Sequence, residues 1–148
     1  MQRITLTDRF PHRQEELFAL VAEVEAYPEF LPGWRSVEVR ERSGNRLTVK
    51  QSVAVGRFAL HFESRAVLDP PRSIHIESDH AAFRHFVLEW RFEPQGTDCL
   101  AQLDIECSFR SPLLERAAGL LIPTMARNIM TAFARRARAT SSARGAEK

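Results

Sequence analysis

A chain of 148 residues with 44% hydrophobic and 27% charged side chains has the apolar material for one core and the charge for a solvated surface, which excludes a wholly disordered protein. No apolar run approaches the roughly 20 residues that span a bilayer, and a net charge of only +2 excludes a general electrostatic grip on nucleic acid. The amino terminus has no signal-peptide pattern, so a cytoplasmic protein is expected.

Gln2 to Asp8 alternates as a short strand with Ile4 and Leu6 on one face. Pro11 precedes a helix in which Leu17, Leu20, Val21 and Val24 recur at i, i+3, i+4 and i+7, with Glu15, Glu16 and Glu23 outside, and Pro28 is expected to end it. The segment Tyr27-Pro28-Glu29-Phe30-Leu31-Pro32-Gly33-Trp34 is too apolar for an exposed connector. Its aromatics must pack together or face a ligand. The polar atoms of Tyr27 and Trp34 need partners and so place these two at a rim.

Val37 to Arg42 and Leu47 to Val55 read as a hairpin across Ser43-Gly44-Asn45. A longer strand, Phe58 to Leu68, puts Phe58, Leu60, Phe62, Ser64, Ala66 and Leu68 on one face. After the Asp69-Pro70-Pro71-Arg72 turn come strands at Ser73 to Ser78 and Arg84 to Phe92, then a turn at Glu93-Pro94-Gln95-Gly96. In the next strand, Leu100 to Phe109, Leu103, Ile105, Cys107 and Phe109 alternate with Gln102, Asp104, Glu106 and Ser108, a one-sided antiparallel pattern. Cys99 and Cys107 are expected as reduced thiols. Along one strand they lie about 26 Å apart at ~3.3 Å per residue, beyond the ~7 Å reach of a disulfide.

Ser111-Pro112 opens the last helix, with Ser111 as N-cap and Glu115 in its first turn. An apolar stripe of Leu114, Ala118, Leu121, Met125, Ile129, Ala132 and Phe133 carries it to about Arg138. Pro123 cannot donate to the Gly119 carbonyl, which predicts a kink or a break in pairing there. Residues 139–148 are small, polar and charged and are expected to be disordered.

One sheet with an apolar face and one long helix make a single core only if the sheet curls around the helix. The fold class expected is therefore α+β, a helix-grip arrangement in which a curved antiparallel sheet of about seven strands wraps the C-terminal helix. It forms one domain over residues 1–138. A curved surface and a cylinder do not match everywhere, so a cavity between them is expected.

No Gly-rich phosphate loop, nucleophile elbow or Cys-x-x-Cys pair occurs. His75 and His85 fall on the outward face and His80 in a turn, so a three-His metal site is not expected. By parity Glu63, Glu89, Asp104 and Glu106 are also outward, beside Arg65 and Arg91, where exposed ion pairs need no function. The inward set is aromatic: Tyr27, Phe30, Trp34, Phe58, Phe62, Phe86, Trp90 and Phe133. It reads as a packed core or as the wall of a hydrophobic ligand site. From Pro123 onward Arg127, Arg135, Arg136, Arg138, Arg144 and Lys148 face only Glu147, a basic end suited to solvent and the helix dipole, to anionic lipid headgroups or to ribosomal RNA.

Four motifs in order, Tyr27-Pro28-x-Phe30-Leu31-Pro32, Phe62-x-Ser64-Arg65-x-Val67-x-x-Pro70-Pro71, Phe83-Arg84-x-Phe86-x-x-x-Trp90-x-Phe92-x-Pro94 and Phe109-x-Ser111-x-Leu113-Leu114-Glu115, resemble the coenzyme Q-binding family of START-like domains, whose bacterial branch includes the ribosome association toxin. The likeness spans roughly residues 1 to 138. It departs from the family at Asp79-His80-Ala81-Ala82-Phe83, where members often carry Asp-Gly-Pro-Phe, and at Gly33-Trp34, where many have Trp-Cys.

The resemblance implies a hydrophobic cavity holding ubiquinone or a similar isoprenoid lipid, in a carrier or chaperone that supports respiration without catalysis and without a further cofactor. On that reading Phe30, Phe62, Phe86, Trp90, Leu121 and Met125 line the cavity and Tyr27 and Trp34 stand near its entrance, with transient membrane contact and a peripheral place at the inner membrane. The resemblance equally implies a rival, binding of the large ribosomal subunit so as to block subunit joining, through Arg127, Arg135, Arg136 and Arg138. A third reading, a polyketide cyclase-type enzyme, needs polar groups in the lumen, for which Ser64 and Gln51 are the inward candidates.

Overall fold

The computed structural model describes residues 1–146, with side chains through Thr140. Seven strands form one antiparallel sheet: β1 (Gln2–Phe10), β2 (Trp34–Ser43), β3 (Arg46–Val55), β4 (Phe58–Asp69), β5 (Ser73–Glu77), β6 (Phe83–Gln95) and β7 (Asp98–Phe109). Their spatial order is β1-β7-β6-β5-β4-β3-β2, so every neighbour except the β1/β7 pair is consecutive in sequence. Alternation sets the inner face. Along β7, Cys99, Ala101, Leu103, Ile105, Cys107 and Phe109 are all buried, with half-exposed residues between them. Irregular register at Phe83/His85 in β6 and at two points in β2 marks bulges, the device by which a sheet bends.

Three helical elements cover the inner face: α1 (Gln14–Ala22), α2 (Tyr27–Phe30) and α3 (Pro112–Ala146), with a 3₁₀ turn at Val24–Ala26 between the first two. The helix-grip architecture expected from the strand count is thus the one observed. Cys99 and Cys107 are both free and buried.

Three expectations need correction. Pro28 does not end the first helix, which stops at Ala22; it lies in the first turn of α2, where its missing N–H costs no helical hydrogen bond. Strand β6 runs on through Pro94 to Gln95, and the turn to β7 is tighter, centred on Gly96 at φ +64°. The last helix does not finish near Arg138 but continues to Ala146. The part of the expected tail up to Ala146 is therefore helical, and residues 147 and 148 lie outside the described residues. Pro123 is accommodated inside the one continuous helix rather than dividing it.

The start of α3 is tied to the end of β7. Ser111 Oγ accepts the Leu114 amide at 3.3 Å, and the Glu115 carboxylate accepts the Phe109 amide at 2.6 Å and lies 3.3 Å from the Met1 amino group. The Phe109 amide, with help from that amino group, holds the Glu115 carboxyl below its ordinary value. A carboxyl depressed in the folded state contributes stability above its unfolded pKa and loses it as pH falls through the folded one. Glu115→Gln should therefore lower unfolding free energy by about 1 kcal/mol at neutral pH. In thermal melts its difference from wild type should shrink as pH drops through the carboxylate range.

Candidate ligand-binding lumen

Two apolar hollows, of about 70 and 60 Å³, lie between the sheet and α3. They share Trp34, Phe62, Phe86, Leu88 and Ile129 as walls and so form one interrupted lumen. The first extends under Ile122, Met125 and Ala126 of α3 and reaches Val55, Phe83, Cys107 and Phe109. The second extends toward Tyr27, Leu31, Gln51, Trp90, Leu103 and Phe133. Larger hollows of about 430 and 220 Å³ sit on the outer face among charged side chains such as Arg46, Arg65, Glu77, Arg91 and Glu106. They are grooves between charged side chains, whereas the two inner hollows are almost wholly apolar.

Trp34 and Gln51 of the second cavity's wall start a short polar chain that ends on Ser64, which itself lines neither cavity, contrary to the expectation of a lumen hydroxyl there. The Trp34 indole N–H donates to Gln51 Oε1 at 3.0 Å, and Gln51 Nε2 donates to Ser64 Oγ at 3.0 Å. No carboxylate, histidine or cation lines either cavity. Burial in this apolar wall pushes the Cys107 thiol up to about 12, so it stays protonated and acts as a small hydrophobe.

Six of the eight residues expected at the site, Tyr27, Trp34, Phe62, Phe86, Trp90 and Met125, line the lumen. Tyr27 is not at a rim: it is 8% exposed, its hydroxyl donates to the Val21 carbonyl, and burial raises its phenol above the ordinary value. The hydroxyl was expected to seek water, but a backbone acceptor left by the end of α1 satisfies it instead. Phe30 lines neither cavity. It packs edge-on against Phe133 at 5.2 Å, with the Arg136 guanidinium 4.9 Å above its ring. Leu121 also lines neither cavity and covers the β3–β4 turn, where a Cβ built on Gly56 would stand 2.8 Å from its Cδ1.

Sequence reasoning did not single out Leu88, Ile122 or Val55 as lining residues. Alternation placed Leu88 inward with Phe86 and Trp90, but nothing in a one-dimensional pattern says which inward residue borders a void. The outward histidines are paired as surface groups: His75 with Glu77 at 2.9 Å and Glu89 at 3.3 Å, and His85 with Glu106 at 3.3 Å. Among the described residues no cluster of metal-ligating side chains forms. Of the basic set, Arg127, Arg135 and Arg138 are exposed, whereas Arg136 is bound to Glu29 at 3.2 Å.

A curved sheet closed on a helix around an apolar lumen is the START-like class of domain. The family described as polyketide cyclase / dehydrase and lipid transport matches residues 10–134, and the chain belongs to it. Among named relatives, the ribosome association toxin RatA of Pseudomonas aeruginosa is 32% identical over 129 residues, covering 86% of this chain and 90% of that one. Two solved structures share the fold: a START superfamily protein from Mycobacterium smegmatis (TM-score 0.79, 15% identity, 93% and 98% of the two chains) and the ZhuI aromatase/cyclase from Streptomyces sp. R1128 (TM-score 0.79, 16% identity, 93% of each).

The Trp34–Gln51–Ser64 chain gives a local prediction. Gln51→Leu leaves the indole N–H and the Ser64 hydroxyl without their partner inside the wall, and should lower unfolding free energy by about 1–3 kcal/mol in denaturant titration. Ser64→Ala removes only the terminal acceptor and should cost less.

Proposed function

We propose that this protein is a non-catalytic carrier for a hydrophobic isoprenoid ligand of the ubiquinone type, held in the lumen between the sheet and α3. The observation that supports this reading is the lumen's composition: an aromatic and aliphatic wall with one side-chain amide, Gln51, that could offer a donor to a quinone carbonyl. Binding would be driven by removing isoprenoid surface from water at roughly 25 cal/mol per Å², less the cost of ordering the ligand.

Size sets a condition on the reading. Each cavity is smaller than the ~150 Å³ void that holds a benzene molecule and far below the ~300 Å³ at which drug-sized sites begin. Uptake therefore needs α3 to move outward over Ile122–Ile129. Pro123, which removes one helical hydrogen bond in that stretch, is the point where the helix yields most cheaply. A cyclase-type role has less support, since proton transfer would fall to an amide, an indole, and a phenol and a thiol of raised pKa.

The second reading is ribosome association, favoured by the name of the Pseudomonas relative and by the exposed Arg127, Arg135 and Arg138. It predicts binding that weakens steeply with salt and survives filling of the lumen, whereas quinone binding should be nearly independent of salt.

The test is mass spectrometry of organic extracts from natively purified protein, beside Ala126→Leu, which places new methyl groups in the first cavity. Quinone should accompany the wild type and be depleted about fivefold or more in the folded variant, given overpacking costs of about 1–3 kcal/mol. A wild-type protein that carries no quinone and takes up none when it is added would end the carrier reading.

A further inference from the structure

The outward face of α3 is chemically one-sided. At 3.6 residues per turn, Leu113, Arg116, Leu120, Arg127, Arg135 and Arg138 fall along that face, and all six are exposed. Leu120 at 77% and Leu113 at 64% are the two most exposed large hydrophobic side chains among the described residues. The helix sequence contains a single acid, Glu115, whose carboxylate is engaged by the Phe109 amide and the Met1 amino group. The face thus pairs leucines that nothing covers with a row of arginines that no acid on the helix face neutralises.

We infer that this face of α3 docks flat on an anionic lipid bilayer, with Leu113 and Leu120 inserted at the level of the acyl boundary and Arg116 and Arg127 on headgroup phosphates. Charge complementarity selects a polyanionic partner, and the leucines select a lipid one. A nucleic-acid backbone offers phosphate for the arginines but no apolar phase for two leucines seven residues apart, whereas a bilayer interface takes both at once. The helix cannot cross the bilayer, since no described helix is long and apolar enough, and a surface-lying amphipathic face does not require it.

The docked face is the outer side of the helix segment whose inner side, Ile122, Met125 and Ala126, walls the lumen. Docking would bring the membrane against the part of α3 that must move for a lipid to enter. In that role the inference rests on the carrier reading, although the docking itself needs no occupied lumen.

The test is flotation of the full chain with quinone-free vesicles of phosphatidylcholine alone and of phosphatidylcholine mixed with phosphatidylglycerol. The protein should float with the mixed vesicles and far less with the neutral ones. Arg116→Gln with Arg127→Gln should weaken binding about 30-fold, and Leu113→Ser with Leu120→Ser at least about tenfold. All four positions are exposed, so thermal melts of the variants should match wild type. Failure of the wild type to float, or leucine changes that leave flotation intact, would overturn the inference. So would leucine changes that spare vesicles while abolishing cosedimentation with large ribosomal subunits. Because the vesicles contain no quinone, failure here speaks to the surface alone, and an empty lumen in the extraction experiment leaves this result standing.

Discussion

The packing of Phe133 is the constraint on which the lumen depends. This ring is 1% exposed and meets Tyr27 at 5.6 Å, Phe30 at 5.2 Å and Trp90 at 5.3 Å, in each case edge to face. It therefore joins α3 to α2 and to the middle of the sheet at one point. The other end of α3 is fixed by the Ser111 cap, the Glu115–Phe109 bond and the burial of Leu114 and Ala118. Between these anchors Ile122, Met125, Ala126 and Ile129 border the first cavity, in a stretch that also contains Pro123. The voids lie between the two anchors, beside buried Ala126 and Ile129.

Local signals explain what was legible in the sequence. Strand alternation in β4 and β7, the proline- and glycine-marked turns and the serine-capped start of α3 are local signals, and each identified an element that the structure contains. The inward face followed from parity. The errors arose where local signals competed: Pro28 reads equally as a stop or as a first-turn residue, and which holds depends on the 3₁₀ turn before it. Pro94 suggested a turn, yet near the end of a long strand it costs little, and β6 runs past it.

The lumen was legible as a composition but not as a boundary. Phe30 and Phe62 are alike in the sequence, both aromatic and both in motifs of the same resemblance. Only the path of α2 turns Phe30 toward Phe133 and Arg136, outside the cavity wall. Leu121 and Ile122 are adjacent on one helix, and a rotation of one residue decides that Ile122 borders the void while Leu121 covers Gly56. The hydrogen bond from Trp34 to Gln51 spans 17 residues and depends on the β2–β3 register, which no spacing rule supplies.

Strand order has a kinetic consequence. The first strand pairs with the last: Gln2 stands opposite Cys107 and Phe10 opposite Cys99, so β1 closes the sheet only against residues more than half the chain away. The five strand pairings from β2 to β7 are hairpin-like and can form as the chain grows, but β1 must wait with its apolar residues Ile4 and Leu6 unpartnered. During synthesis the inner face stays open at that edge until β7 has emerged, and the α3 segment that will cover it emerges later still. A newly made molecule therefore passes through a stage in which its lumen is an open trough. Only with the helix laid across it does that trough become a lumen.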